Sequence, residues 1–92
     1  MNTTTKFFKA ISDPTRQKIL VALRKRGELN VGDIQGVIAL SQPTASQHLK
    51  VLSEAGIVKT LRRGQKIYYS LCNKVIYDVI SKFMKDYEPK KK

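Results

Sequence analysis

Apolar residues recur along this chain at helical spacing, change briefly to alternation, and then return to helical spacing. Phe7, Phe8 and Ile11 predict a short amphipathic helix over about residues 3–11. Ser12 or Asp13 caps a second helix, with Pro14 at its first position; Ile19, Leu20 and Leu23 share a face and Gly27 stops it. Asn30-Val31-Gly32-Asp33 is a cap followed three residues on by an acid, and predicts a short helix over about 31–38 that turns Ile34, Val37 and Ile38 inward. Ser41 caps a fourth helix, whose first turn tolerates Pro43 because no amide donor is missed there. Ala45, Leu49, Leu52 and Gly56 fall on one stripe of it.

The period then shortens. IVKTL and KIYYSL are β-rich, with Ile67, Tyr69 and Leu71 alternating onto one face, and the glycine of Arg62-Arg63-Gly64-Gln65 between them reads as a hairpin turn. After Asn73, a wide apolar stripe of Val75, Ile76, Val79, Ile80, Phe83, Met84 and Tyr87 restores the helix. The expected fold class is mainly α (α+β): a winged helix-turn-helix of five helices, with a two-stranded β-hairpin wing between the fourth and fifth. Residues 1–92 are expected to form one domain, with a frayed, polar tail over 88–92.

Charge narrows the partner. The chain has 92 residues and a formal net charge of +11, an excess that favours a polyanion. One cysteine, Cys72, forbids an internal disulfide and fits a reducing, cytoplasmic location. The N-terminal residues carry no signal-peptide apolar run, and no apolar stretch is long enough to span a membrane. An enzyme is disfavoured: there is no nucleophile–base pair, evident carboxylate dyad or phosphate-cradling glycine loop, and no cofactor is expected.

The stretch LSQPTASQHLKVLSEAGIV, residues 40–58, carries the candidate chemistry. On a helical wheel Ala45, Leu49 and Leu52 occupy one side; Pro43, Thr44, Gln47, Lys50 and Glu54 fall opposite; Ser46 and His48 lie on the flanks. A helix of this kind fits the major groove of B-DNA with its N-terminal residues at the base edges, where Gln pairs with adenine and a Thr methyl meets thymine. The candidate DNA-binding set is Ser41, Gln42, Pro43, Thr44, Ser46, Gln47, His48 and Lys50, with Thr44, Gln47 and Lys50 at its centre and Ser41 chiefly a cap. The plainer alternative is an ordinary capped surface helix. Arg62, Arg63, Gln65 and Lys66 at the hairpin tip suit phosphate or minor-groove contact, against the alternative of a solvated turn.

SDPTRQKILVAL, LSQPTASQHLKVLSEAGIV and RRGQKIYYSL, in that order and spacing over about residues 5–85, resemble the ArsR/SmtB family of winged-helix transcriptional regulators. The resemblance implies a homodimeric repressor that binds double-stranded DNA at an inverted-repeat operator and releases it on sensing a ligand. It implies a dimer interface from the first and last helices: Phe7, Phe8, Ile11, Ile76, Val79, Ile80, Phe83 and Tyr87. The family's metal sensors carry a Cys-x-Cys-Asp element where this chain has Asn30-Val31-Gly32-Asp33, so only the acid remains. Other members place Asp and His ligands on the last helix, which here holds Asp78, Asp86 and Glu88 but no histidine. No metal site is expected, since one Cys and one His cannot build a soft-metal site in one protomer. His48 then reads as a flank residue that packs or touches a phosphate. Cys72 reads as a small half-buried strand residue, the sharper alternative being an oxidant-sensing thiol. Two other functions stay open: an architectural, weakly specific DNA-binding protein, and a protein–protein module, which the cations Lys50, Arg62, Arg63 and Lys66 disfavour.

Overall fold

Local capping chemistry sets most of the helix boundaries. The computed structural model describes residues 2–90, ordered as α1 (Thr3–Ile11), α2 (Pro14–Arg26), β1 (Leu29–Asn30), α3 (Val31–Val37), α4 (Gln42–Glu54), β2 (Val58–Arg63), β3 (Lys66–Leu71) and α5 (Asn73–Lys85). Asp13 is the cap of α2, its Oδ2 accepting the Arg16 amide at 2.9 Å; Ser12 instead closes α1, its Oγ donating to Lys9 O at 2.8 Å. Asn30 and Asp33 form a reciprocal capping box at the start of α3. The five helices and the hairpin wing match the expected winged helix-turn-helix. Lys91 and Lys92 of the expected tail lie outside the described residues; Glu88, Pro89 and Lys90 are exposed and in neither helix nor strand.

The sheet has three strands rather than two, ordered β1-β3-β2 and antiparallel throughout. β1 pairs Leu29 with Tyr69 and Asn30 with Tyr68. Two residues are too few for a period, so pairing across the chain creates this strand, not local preference. The wing turn is Gly64-Gln65. Gly64 has φ +62° and no non-glycine residue among the described residues has positive φ, which is the II′ pattern whose twist matches a hairpin.

Phe7, Ile19, Leu23, Ile34, Leu49, Leu52 and Ile57 are fully buried, drawing α1, α2, α3, α4 and the turn after α4 into one core. Each contributes about 1.5–3 kcal/mol relative to exposure. No polar or charged residue is buried among the described residues, so the polar chemistry lies at the surface. Two inward placements are corrected. Val37 is 48% exposed, because α3 ends at this residue and Ile34 is the one fully buried residue of the helix. Ile67 is 40% exposed, because the wing projects beyond the core and only the base of β3 packs inward.

Phe7 is also corrected as a dimer-interface residue. It is 0% exposed within its own chain and has no surface to share. Phe8, one residue and about 100° on, turns the other way: its ring meets Phe83 with centroids 4.8 Å apart, and Phe83 meets Tyr87 at 5.0 Å. Nothing on α5 is buried, and Tyr77, Phe83, Met84 and Tyr87 are exposed large side chains on it or just past its end. Phe7→Ala is expected to lower the unfolding free energy by about 3–5 kcal/mol in urea denaturation. A near-neutral change would show that the ring is not a core element.

Candidate nucleic-acid interface

The geometry of α4 follows from its two faces. Ala45, Leu49 and Leu52 are each 0% exposed, whereas Thr44, Ser46, Gln47 and Lys50 are exposed. Ser41 caps the helix: its Oγ accepts the Thr44 amide at 3.3 Å and donates to Thr44 Oγ1 at 2.9 Å. With that donor satisfied on Ser41, the Thr44 hydroxyl keeps its own proton free to donate outward. Gln35 Nε2 donates to Leu40 O at 3.3 Å, tying α3 to the turn that delivers α4. Gln42 and Pro43 are exposed in the first turn.

Tertiary folding brings one part of the helix set to one part of the wing set. Gln42 and Ser46 face Gln65 and Lys66 across a groove of about 470 Å³, whose floor includes Asn30, Val31 and Gly32 at the start of α3. Thr44, Gln47 and Lys50 do not line it. The arrangement is a polar, cation-edged trough beside an outward helix face, suited to a duplex with one strand's phosphates between helix and wing.

The wing arginines divide into two kinds. Arg62 is exposed and its Nε donates to Gly64 O at 3.2 Å, staying at the tip. Arg63 lies over the Tyr68 ring, 5.2 Å from its centroid, and reaches across β3 to Glu28, with Nη1 on Oε1 and Nη2 on Oε2 at 3.2 Å. The guanidinium and carboxylate are 54% and 35% exposed as side chains, so the pair contributes at most about 1 kcal/mol. Its fork geometry still pins the wing to the segment before β1.

His48 is half-buried, with Nδ1 3.2 Å from Nη1 of Arg16. Arg16 is a residue the sequence reading missed; a partner 32 positions away leaves no local signal. The Arg16 backbone amide holds the Asp13 carboxyl below its ordinary pKa, partly opposed by burial, with the Arg16 charge adding to the lowering. Glu28 was missed for the same reason, its partner Arg63 lying 35 positions away. Cys72 is half-buried at the start of α5 and its amide donates to Ile57 O at 2.8 Å. Where the resemblance implies thiolates this chain has Asn30 and Gly32, the retained Asp33 is engaged by Asn30, and no cluster of three or more His, Cys, Asp or Glu residues exists among the described residues.

A helix-turn-helix with an exposed, polar second helix and a basic wing defines a DNA-binding transcriptional regulator. Residues 13–60 match the model for bacterial regulatory proteins of the arsR family, and the chain belongs to that family. It is 49% identical over 74 residues to the transcriptional repressor SdpR of Bacillus subtilis (strain 168), covering 80% of this chain and 81% of the relative. It is 43% identical over 77 residues to a CadC homologue of Staphylococcus aureus, a cadmium resistance transcriptional regulatory protein; that match covers 84% of this chain and 64% of the relative. The crystal structure of the transcriptional repressor BigR from Xylella fastidiosa superposes with a TM-score of 0.70 at 31% identity, covering 94% of this chain and 87% of that one. The chain is therefore a DNA-binding regulator and not an enzyme. No helix among the described residues is long and apolar enough to cross a membrane.

The two arginines should separate in a salt titration of DNA affinity. Arg62→Ala is expected to lower the slope of log K against log salt by about one unit. Arg63→Ala should leave the slope nearly unchanged and speed amide exchange in β3. Equal slope losses would show that Arg63 leaves Glu28 for a phosphate.

Proposed function

We propose that this chain is a sequence-specific cytoplasmic repressor that binds an inverted-repeat operator as a homodimer and uses no transition-metal site. One observation carries the specificity: the face of α4 opposite its buried stripe presents the uncharged donors and acceptors Thr44 and Gln47 in its N-terminal half, followed by Lys50, with Glu54 only at the far end. In this reading Thr44 and Gln47 reach base edges, while Ser46, Lys50, Arg62, Gln65 and Lys66 line the backbone, with Gln42 and Pro43 at the helix entry. Ser41 remains a cap.

The dimer is supported by an uncovered face. Tyr77, Phe83, Met84 and Tyr87 are 72%, 43%, 61% and 71% exposed, and Phe8, Ile11, Ile76, Val79 and Ile80 extend the patch. Exposed apolar side chains gathered on one helix of a charged chain, with Phe8, Phe83 and Tyr87 in ring contact, fit an interface between copies. Two copies double the +11 charge and place two recognition helices against successive major grooves. The metal-free reading rests on the donors: Asp33 is occupied as a cap, Asn30 and Gly32 stand at the two cysteine positions and supply no thiolate, and His48 is turned to Arg16.

Selection of duplexes from a random pool tests the whole reading; cognate and random DNA binding within about tenfold of each other would leave only weak, architectural binding. Gln47→Ala is expected to cost about 1–3 kcal/mol on the selected site and to relax its specificity, where equal losses on random DNA would remove Gln47 from base readout. Phe83→Asp is expected to give monomers in sedimentation by placing a charge in the apolar seam. A surviving dimer would move the interface elsewhere.

A further inference from the structure

Arg16 joins three helices. Its backbone amide is held by the Asp13 cap at 2.9 Å, its Nε donates to Ala10 O at 2.7 Å, its Nη2 donates to Lys9 O at 3.3 Å, and its Nη1 faces His48 Nδ1 at 3.2 Å. The bond to Ala10 O and the added bond to Lys9 O, which Ser12 already holds, place the guanidinium at the C-terminal end of α1, where the helix dipole favours a cation. That anchorage leaves the guanidinium little freedom, and it aims Nη1 at α4.

Chemistry then decides the state of the histidine. A guanidinium carries donors only and keeps its proton at any ordinary pH. The facing Nδ1 of His48 must therefore offer its lone pair, and a neutral imidazole with Nδ1 as acceptor carries its proton on Nε2. A ring protonated at Nδ1 would set N–H against N–H. His48 lies between the exposed Gln47 and the turn bearing Lys50, where an N–H group suits a phosphate oxygen.

We propose that Arg16 is a positioning residue that locks His48 as the Nε2–H tautomer and so presents an N–H donor to a DNA backbone phosphate at the edge of the recognition helix. The DNA step rests on the reading of α4 given above; the tautomer does not. Through its bonds to α1, Arg16 also ties the aim of that donor to the helix that lies against α5.

Imidazole nitrogen spectra of the ¹⁵N-labelled free protein at alkaline pH test the lock. A single Nε2–H form is expected for the wild type, and admixture of the Nδ1–H form for Arg16→Met. A wild-type ring protonated on Nδ1, or an unchanged tautomer in a folded Arg16→Met, overturns the proposal. Binding to a random-sequence DNA duplex tests the donor, since a phosphate contact needs no cognate site. His48→Asn keeps an acceptor near the Nδ1 position but has no counterpart of Nε2–H, and is expected to weaken binding about tenfold. Arg16→Met should lose a similar factor with the salt slope unchanged, and the double variant should be no worse than His48→Asn alone. Additive losses would overturn the relay and make Arg16 an independent contact. Lys50→Ala separates the two levels. If it leaves binding intact, α4 is not the DNA helix and the functional reading falls. If it weakens binding while His48→Asn does not, the phosphate role of His48 alone falls.

Discussion

Burying one apolar stripe of α4 fixes which side chains that helix turns outward. Ala45, Leu49 and Leu52 are wholly inaccessible, and successive side chains on a helix are 100° apart. Once that stripe is in the core, Thr44, Gln47 and Lys50 have no direction left but outward. The caps refine this placement without creating it: Ser41 fixes where the helix begins, and the Gln35–Leu40 bond holds the turn before it. The outward face is thus a by-product of core packing, held from behind by the buried stripe.

Charge of one sign serves two separate purposes in this chain. Lys50, Arg62 and Lys66 remain at the surface, free to meet a polyanion. Arg16 and Arg63 are turned to the protein itself, one closing α1 against α4, the other holding the wing to Glu28. Both of these cations, which bridge separate elements, are arginines. A planar fork with five donors can serve two or three acceptors at once, and a lysine ammonium would hold far fewer of these geometries. A net charge of +11 says that the partner is anionic; it cannot say which cations address it.

The same limit shows on α1. Phe7 and Phe8 are adjacent, equally apolar, and both suited to an interface when read along the chain. In the fold, Phe7 disappears into the core and Phe8 stacks on Phe83 at the open face. The difference is an angle of about 100° that means nothing until the helix is docked. Val37 and Ile67 were misplaced for a related reason: each continues a sound local pattern past the point where the core has ended.

Five helices, the order of helix and wing, and the polar face of α4 were legible because period, caps and turn residues are local physics. Asp13, Asn30, Ser41 and Gly64 act within a few residues of themselves. The third strand, the Arg63–Glu28 tie, the Arg16–His48 contact and the groove between Gln42 and Lys66 were not legible. Each joins positions separated by dozens of residues, and nothing in either partner's neighbourhood specifies the other. The sequence by itself determined which surface is polar and cationic. Tertiary structure decided which of those groups are held inward and which face out, because that depends on how helices and strands distant in the chain come to lie side by side.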